Sequence, residues 1–343
     1  MDSESSALIA GLADGPGGLP GVRWFRALPQ LGDLSERPVT ADQTHRSVIV
    51  GERLVVKWFS PPPEAPHRAL DLLGHLAAVG FTATAAPYAA VLDGDGRLSA
   101  LITDYLPDGR DGWEWCTEAA ISGEPAGPLL GALAADLHAA LATPSALIPE
   151  PVSASAGAGA GWHARALAAL EEASELDPWP GPRAERMRAE LAPLAEPGPT
   201  PVLRIHGDLH VGQVLEWRGG HAVIDFDGNP TVAAAETPQP AARDVAQLLT
   251  SLEHVGQVAA GRGADSAAWT REACAGFLAA YTGGLAAHGR SELFDERLLR
   301  PFAVEQECRE LIYAARFLPR WRYAPLGVLR SWYETEDPIE GGA

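Results

Sequence analysis

The sequence predicts an α+β protein in two lobes, a β-rich lobe over 1–104 followed by a mostly helical lobe over 105–343. Three observations carry this. Strand-like runs and tight-turn signals crowd residues 46–105. A strand then runs into Leu106-Pro107-Asp108-Gly109, the kind of break at which lobes divide. Beyond it, apolar residues recur mainly at helical spacing. A chain of 343 residues is long enough to build two such cores.

Residues 1–40 are rich in Gly and Pro, with one apolar piece, Val22 to Phe25. Gly15-Pro16-Gly17-Gly18 has neither of the spacings that cradle phosphates and reads as a plain loop. Arg46 to Val50 and Leu54 to Phe59 flank Gly51-Glu52 and form a hairpin. Pro61-Pro62-Pro63 stops the second strand, and a helix follows over about Glu64 to Val79, with Leu72, Leu73 and Leu76 on its apolar face. Two more strands, Tyr88 to Leu92 and Leu98 to Tyr105, enclose the turn Asp93-Gly94-Asp95-Gly96.

Past the crossing, Leu129 to Leu141 reads as a helix with His138 on its apolar side, a core or capping histidine. Ser153 to Gly161 alternates small residues and reads as a flexible connection. Helices are expected near His163 to Leu176, Arg183 to Leu194, from Pro240 onward, near Ala267 to His288 and over Leu298 to Phe317. The tail from Trp332 is acidic and aromatic.

Composition excludes several classes. Charged content of 21% and hydrophobic content of 46% describe a globular chain, and no apolar run reaches membrane-spanning length. The acidic N-terminus lacks a signal peptide's positive start. Cys116, Cys274 and Cys308 are odd in number and widely spaced, which suits reduced thiols in a cytoplasm, with Cys308 in the core. A net charge of −19 repels nucleic acid and suits a cationic small ligand. The 26 basic residues include a single lysine, Lys57, inside the strand-like run Arg53 to Phe59. A compact ammonium kept in an arginine-rich chain points to a tight phosphate contact.

The chemistry gathers at 202–227. Val202 to Ile205 ends in His206-Gly207-Asp208, and Ala222 to Ile224 ends in Asp225-Phe226-Asp227. Gly219-Gly220 signals a turn, so these strands are expected to form a hairpin. Gln213 follows Asp208 by five positions. Phosphoryl transfer with a metal needs such a set: one carboxylate to accept a hydroxyl proton, and a carboxylate with an amide oxygen to hold magnesium. In a kinase, the lobe crossing exposes backbone groups to adenine, and Asp104 and Leu106 are the candidates here.

The order of these parts resembles the aminoglycoside phosphotransferase-like kinase superfamily. Within it, the chain is similar to the maltokinase-like branch and its actinobacterial glucosamine kinases. The features are Arg23-Trp24-Phe25, Asp111-Gly112-Trp113, Asp136-Leu137-His138, the stretch His206 to Gln213, Ile224 to Pro230, Arg243 to Ala246, and Tyr313 to Arg316 before Pro319. The resemblance implies a bilobal eukaryotic-protein-kinase-like fold, ATP as cosubstrate and Mg2+ as cofactor. It implies that Asp208 is the catalytic base, that Gln213 and Asp225 hold magnesium, and that Lys57 pairs with the ATP phosphates. The usual acidic partner of that lysine lies on the following helix, with Glu64 and Asp71 both open. Asp244 and Arg243 would stabilise the catalytic loop.

Three departures bear on the acceptor. The chain is shorter than maltokinases near its N-terminus, Asp227 stands where Glu is frequent, and Asn229 is its only asparagine. Glu305 to Glu310 packs three acids and an amide into a short helical stretch. It reads either as a solvated face or as recognition of a sugar ammonium, with Glu307 and Glu310 on neighbouring positions. The resemblance therefore implies ATP-dependent phosphorylation of a sugar or amino sugar, glucosamine to glucosamine 6-phosphate, with Asp208, Asp227, Glu307 and Glu310 facing it. The alternatives are maltose 1-phosphate formation, aminoglycoside phosphorylation, and a non-catalytic nucleotide-binding protein. A cytoplasmic monomer or weak dimer is expected.

Overall fold

A computed structural model describes residues 4–13, 15, 20–39, 45–155, 157–229 and 238–334. In chain order the elements begin with α1 (Glu4–Leu12), β1 (Val22–Trp24), β2 (Glu36–Pro38), β3 (Arg46–Val50) and β4 (Leu54–Trp58). Next are α2 (Arg68–Ala78), β5 (Pro87–Leu92), β6 (Leu98–Asp104), α3 (Gly112–Ser122) and α4 (Gly127–Leu141). Then come β7 (Val152–Ala154), α5 (Gly159–Leu176), α6 (Ala184–Leu191), β8 (Pro201–Leu203), β9 (Val214–Trp217) and β10 (Gly220–Val223). The described chain closes with α7 (Ala242–Gly261), α8 (Ala267–Ala287), α9 (Leu299–Arg316) and α10 (Tyr323–Tyr333).

These elements divide into two compact units. The first comprises Met1–Arg110, Thr143–Pro149 and Val214–Glu236; the second comprises Asp111–Ala142, Glu150–Gln213 and Thr237–Ala343. The sequence placed the boundary after Asp104. The first unit runs on to Arg110 and also takes in two later stretches.

In the first unit, six antiparallel strands form one sheet in the order β1-β5-β6-β4-β3-β2. The β3–β4 hairpin is paired as its turn signal predicts, with Val50 opposite Leu54 and Ser47 opposite Lys57. One face of these strands buries Val48, Val50, Leu54, Val56, Ala100 and Ile102 beneath Ile9 and Leu12 of α1, a helix the Gly-rich start did not announce. α2 begins at Arg68, later than expected, because Pro66 biases its predecessor away from helical backbone. The turn falls one residue earlier than expected, at Arg218-Gly219, because Gly220 already pairs with Trp217, and the strand ahead of it is Val214–Trp217. This hairpin is held in the unit by Thr84 Oγ1 donating to Val223 O at 2.7 Å and by backbone bonds between Arg110 and Glu216.

The second unit is helical, with one small ladder. Val202, expected to pair across the catalytic turn, sits instead in β8 opposite Ser153 of β7. The supposed flexible connection therefore supplies a strand, and its glycines open α5 at Gly159. α5, α6 and α9 enclose a core of Trp162, Leu170, Met187, Leu191, Phe302 and Cys308. Cys308 is buried as expected, and burial pushes its thiol well up. α4 meets α8 through glycine: a Cβ on Gly127 would lie 1.9 Å from Ala273 O, and one on Gly131 would lie 2.2 Å from Phe277 O. No helix among the described residues is long and apolar enough to cross a membrane.

Candidate active site

In the second unit the site begins where β8 ends. Gly207 takes φ +78°, a left-handed turn that a side chain would oppose, and it brings Asp208 out at the strand's end. The turn is fixed from α7. Asp244 accepts the His206 N–H at 2.7 Å and the Gly207 N–H at 2.8 Å, so one buried carboxylate caps both donors. His138 lies 3.2 Å from Asp244 and 2.7 Å from the Tyr281 hydroxyl, extending the network into α4 and α8. All four residues (His138, His206, Asp244 and Tyr281) are fully buried. Burial alone would raise the Asp244 carboxyl, but the His138 hydrogen bond and the nearby imidazoles hold it below its ordinary value. His138 is thus the core histidine the sequence predicts, and Asp244 supports the loop as expected.

Asp208 itself accepts Gln247 Nε2 at 2.7 Å. The sequence reading missed Gln247, although a signal existed: it follows Asp244 by three positions, so both side chains share one face of α7. Downstream, Val211 N–H donates to Ser251 Oγ at 3.0 Å, and Gln213 closes a short turn through its N–H to His210 O at 2.9 Å. α3 abuts this loop, capped by Asp111, whose side chain accepts the Glu114 N–H. A Cβ on Gly112 would meet Val211 O at 1.8 Å.

The acids of α9 are not a solvated face. Glu305 is fully buried and paired with Arg243 at 2.9 Å and Arg165 at 3.2 Å. Glu307 is also fully buried, on His254 at 3.1 Å, which removes it as a direct contact for a ligand in this structure. Glu310, one turn on, is part-exposed and accepts Gln306 Nε2 and Trp321 Nε1, each at 3.0 Å. Trp321 went unnoticed in the sequence because it lies eleven residues beyond Glu310, after the helix has ended.

In the first unit, Lys57 extends from the central strand β4 to two carboxylates, Asp227 at 2.5 Å and Asp225 at 3.2 Å. Neither of the acids proposed on the following helix is its partner. Asp71 bonds Arg23 at 2.8 Å, and Glu64 is exposed, with Arg97 at 3.9 Å. The reason is local: the delayed start of α2 leaves Glu64 in the preceding loop, and Asp71 is engaged by β1. Burial would lower the Lys57 ammonium, yet Asp227 and Asp225 hold it above its ordinary value. Burial raises the Asp227 carboxyl, and the like charge of Asp225 adds to the rise against the pull of Lys57. Asp225 takes φ +62°, a conformation that costs a non-glycine residue about 1 kcal/mol. Asp227, expected to face the acceptor, lies in this lysine cluster.

Asp104 is committed within the sheet. Its N–H donates to Ala86 O at 3.0 Å, and its carboxylate accepts the Tyr88 hydroxyl at 2.7 Å and Arg26. Leu106 lies two residues past the end of β6 with its side chain buried.

The first unit's lysine with its two acids and the second unit's buttressed Asp208 are residue types that phosphoryl transfer uses. The model of the phosphotransferase enzyme family matches residues 35–277, and the chain belongs to that family. It is 39% identical to a glucosamine kinase of Streptacidiphilus jiangxiensis, covering 84% of this chain and 72% of that one. It is likewise 39% identical to a glucosamine kinase of Mycolicibacterium smegmatis (strain ATCC 700084 / mc(2)155), covering 84% of this chain and 77% of the relative. Among solved structures, a glucosamine kinase in complex with glucosamine, ADP and inorganic phosphate matches with a TM-score of 0.81 at 33% identity, over 97% of this chain and 84% of that one. The fold is kinase-like, with a β-sheet unit and a helical unit, as the sequence predicts.

Proposed function

We propose that this chain is an ATP-dependent glucosamine kinase that phosphorylates the sugar's 6-hydroxyl. The observation that carries the reading is Glu310. It is a part-exposed carboxylate fixed by an amide and an indole, suited to a sugar ammonium, in a chain whose relatives are named glucosamine kinases. Asp208 takes up the hydroxyl proton, and Gln247 sets the carboxylate's direction through its hydrogen bond. Lys57 neutralises phosphate oxygens of ATP, and the backbone at Leu106 meets adenine. Positioning and charge do most of the work, because the transferring phosphoryl group asks for little covalent help.

Magnesium fits the donors present. Asp225 and Gln213 offer hard oxygen ligands, and the repulsion between Asp225 and Asp227 favours a cation beside them. Among the described residues, no group of three or more His, Cys, Asp or Glu side chains gathers to enclose a metal. An ion held by Asp225 and Gln213 would draw its remaining ligands from phosphate and water, as Mg2+ commonly does. When bound, it would neutralise charge on the phosphate oxygens. The enzyme works in the cytoplasm, where ATP is supplied, as a monomer or weak dimer.

The test is ADP release across glucosamine, glucose, maltose and aminoglycosides with MgATP, with the product's phosphate position read by NMR. Glucosamine 6-phosphate as the preferred product supports the reading. Preference for maltose or an aminoglycoside replaces it with one of those activities, and absence of turnover with all of them leaves a nucleotide-binding protein.

A further inference from the structure

Behind Glu310 lies a buried ion pair that the phosphoryl-transfer chemistry does not use. His254 of α7 sits 3.1 Å from both carboxylate oxygens of Glu307 on α9, and both side chains are at most 2% exposed. The His254 ring stands edge-on to Trp321, with centroids 5.5 Å apart at 71°. Trp321 donates its indole N–H to Glu310. Trp321 also meets Tyr323, edge-on at 6.1 Å, and Trp113, edge-on at 5.3 Å, and Trp113 in turn lies 5.9 Å from His210 in the catalytic loop. The packing there leaves no slack, since a Cβ on Gly212 would fall 2.6 Å from Trp113 Nε1. One file of rings therefore runs from the buried pair past Glu310 to the loop that carries Asp208.

We infer that His254 and Glu307 are positioning residues, whose ion pair aims the Trp321 indole at Glu310 and so fixes the acceptor's amine. This rests on the reading of Glu310 as the amine's partner. Two observations favour a positioning role over simple packing. Apolar residues of similar volume can replace a buried ion pair with little loss of stability, so the charges themselves call for a reason. The pair also fixes both the place and the tilt of the imidazole, and edge-to-face contacts depend on that geometry. Burial would lower the imidazole's pKa, but the Glu307 carboxylate beside it raises it above its ordinary value.

The experiment uses full-length, nitrogen-15-labelled protein, with the Trp321 indole signal assigned from Trp321→Phe. In His254→Asn and Glu307→Gln, the Trp321 indole resonance should shift and its proton exchange faster. In the same variants the glucosamine KM should rise about fivefold or more, with the ATP KM within about twofold of wild type. An unmoved indole signal, or a loss confined to kcat, overturns the inference. Should the single variants fail to fold, His254→Phe combined with Glu307→Leu keeps the volume and removes both charges. If that double variant retains the wild-type indole signal and glucosamine KM, the pair merely packs; a shifted signal with a raised KM supports positioning. If the wild type does not phosphorylate glucosamine, the functional reading falls, and the indole signal alone decides whether the pair aims Trp321.

Discussion

At the residue scale, Asp208 and Gln247 make the sharpest predictions. Asp208→Asn keeps the shape of the side chain and removes its basicity, so kcat should fall by about 100- to 10,000-fold, the usual worth of a positioned base. Circular dichroism should show the fold intact, and near-wild-type turnover would remove Asp208 from its role. Gln247→Ala deletes a hydrogen bond to a charged group, worth about 1.5–3 kcal/mol. A kcat loss of at least tenfold with an unchanged ATP KM is expected, and steady-state kinetics would read it. Asp208, Gln213, Lys57 and Asp225 stand out in the sequence as candidates because residue type and order are linear information. The partners of Lys57 do not. They lie 168 and 170 positions away, and only folding shows that Asp225 and Asp227, not Glu64 or Asp71, reach the ammonium.

At the element scale, the helical half was legible where periodicity is long. α8 and α9 fall within a residue or so of their expected ends. Short pieces were not, because three-residue strands such as β7 owe their existence to a partner far along the chain: Ser153 is a strand residue only because Val202 lies opposite. Glycine shows the same dependence on context. Gly131 and Gly283 both sit inside helices, where alanine usually gains about 0.5–1 kcal/mol. Gly283 has nothing within 4 Å of a built Cβ, so Gly283→Ala should raise the melting temperature. Gly131→Ala should lower it, because the added carbon meets the Phe277 carbonyl of α8 at 2.2 Å, and overpacking costs about 1–3 kcal/mol. Calorimetry on the two variants decides, and shifts of the same sign would refute the close helix contact.

At the scale of the whole molecule, acidity and buried charge set the response to pH. His254 is raised from 6.5 to about 9, chiefly by the Glu307 carboxylate working against burial. Its folded pKa exceeds its unfolded one, so its contribution is fully present below pH 6.5 and is lost as pH rises through 9. Burial pushes Glu307 up to about 7. Its contribution has the same sign, present below 4.5 and lost as pH rises through 7. Denaturant melts between pH 6.5 and 9.5 should show wild-type stability falling, with a flatter profile in His254→Asn. An equally steep profile in that variant would assign the slope elsewhere.

The three-part make-up of the first unit carries a consequence for how the protein is made. A ribosome delivers residues in order, yet this unit recruits Thr143–Pro149 and Val214–Glu236 long after Met1–Arg110 has emerged. All six strands of its sheet lie within Met1–Arg110, but the contacts made by the later stretches come only after most of the second unit's Asp111–Ala142 and Glu150–Gln213 has been synthesised. Only the emergence of Val223 gives Thr84 its hydrogen-bond acceptor, and only that of Glu216 gives Arg110 its backbone partner. Nascent chains stalled shortly before residue 214 should therefore be far more open to protease at 1–110 than chains stalled well beyond 236. Lys57 gains Asp225 and Asp227 in that same late interval, so the lysine cluster is completed together with the contacts of the β9–β10 hairpin.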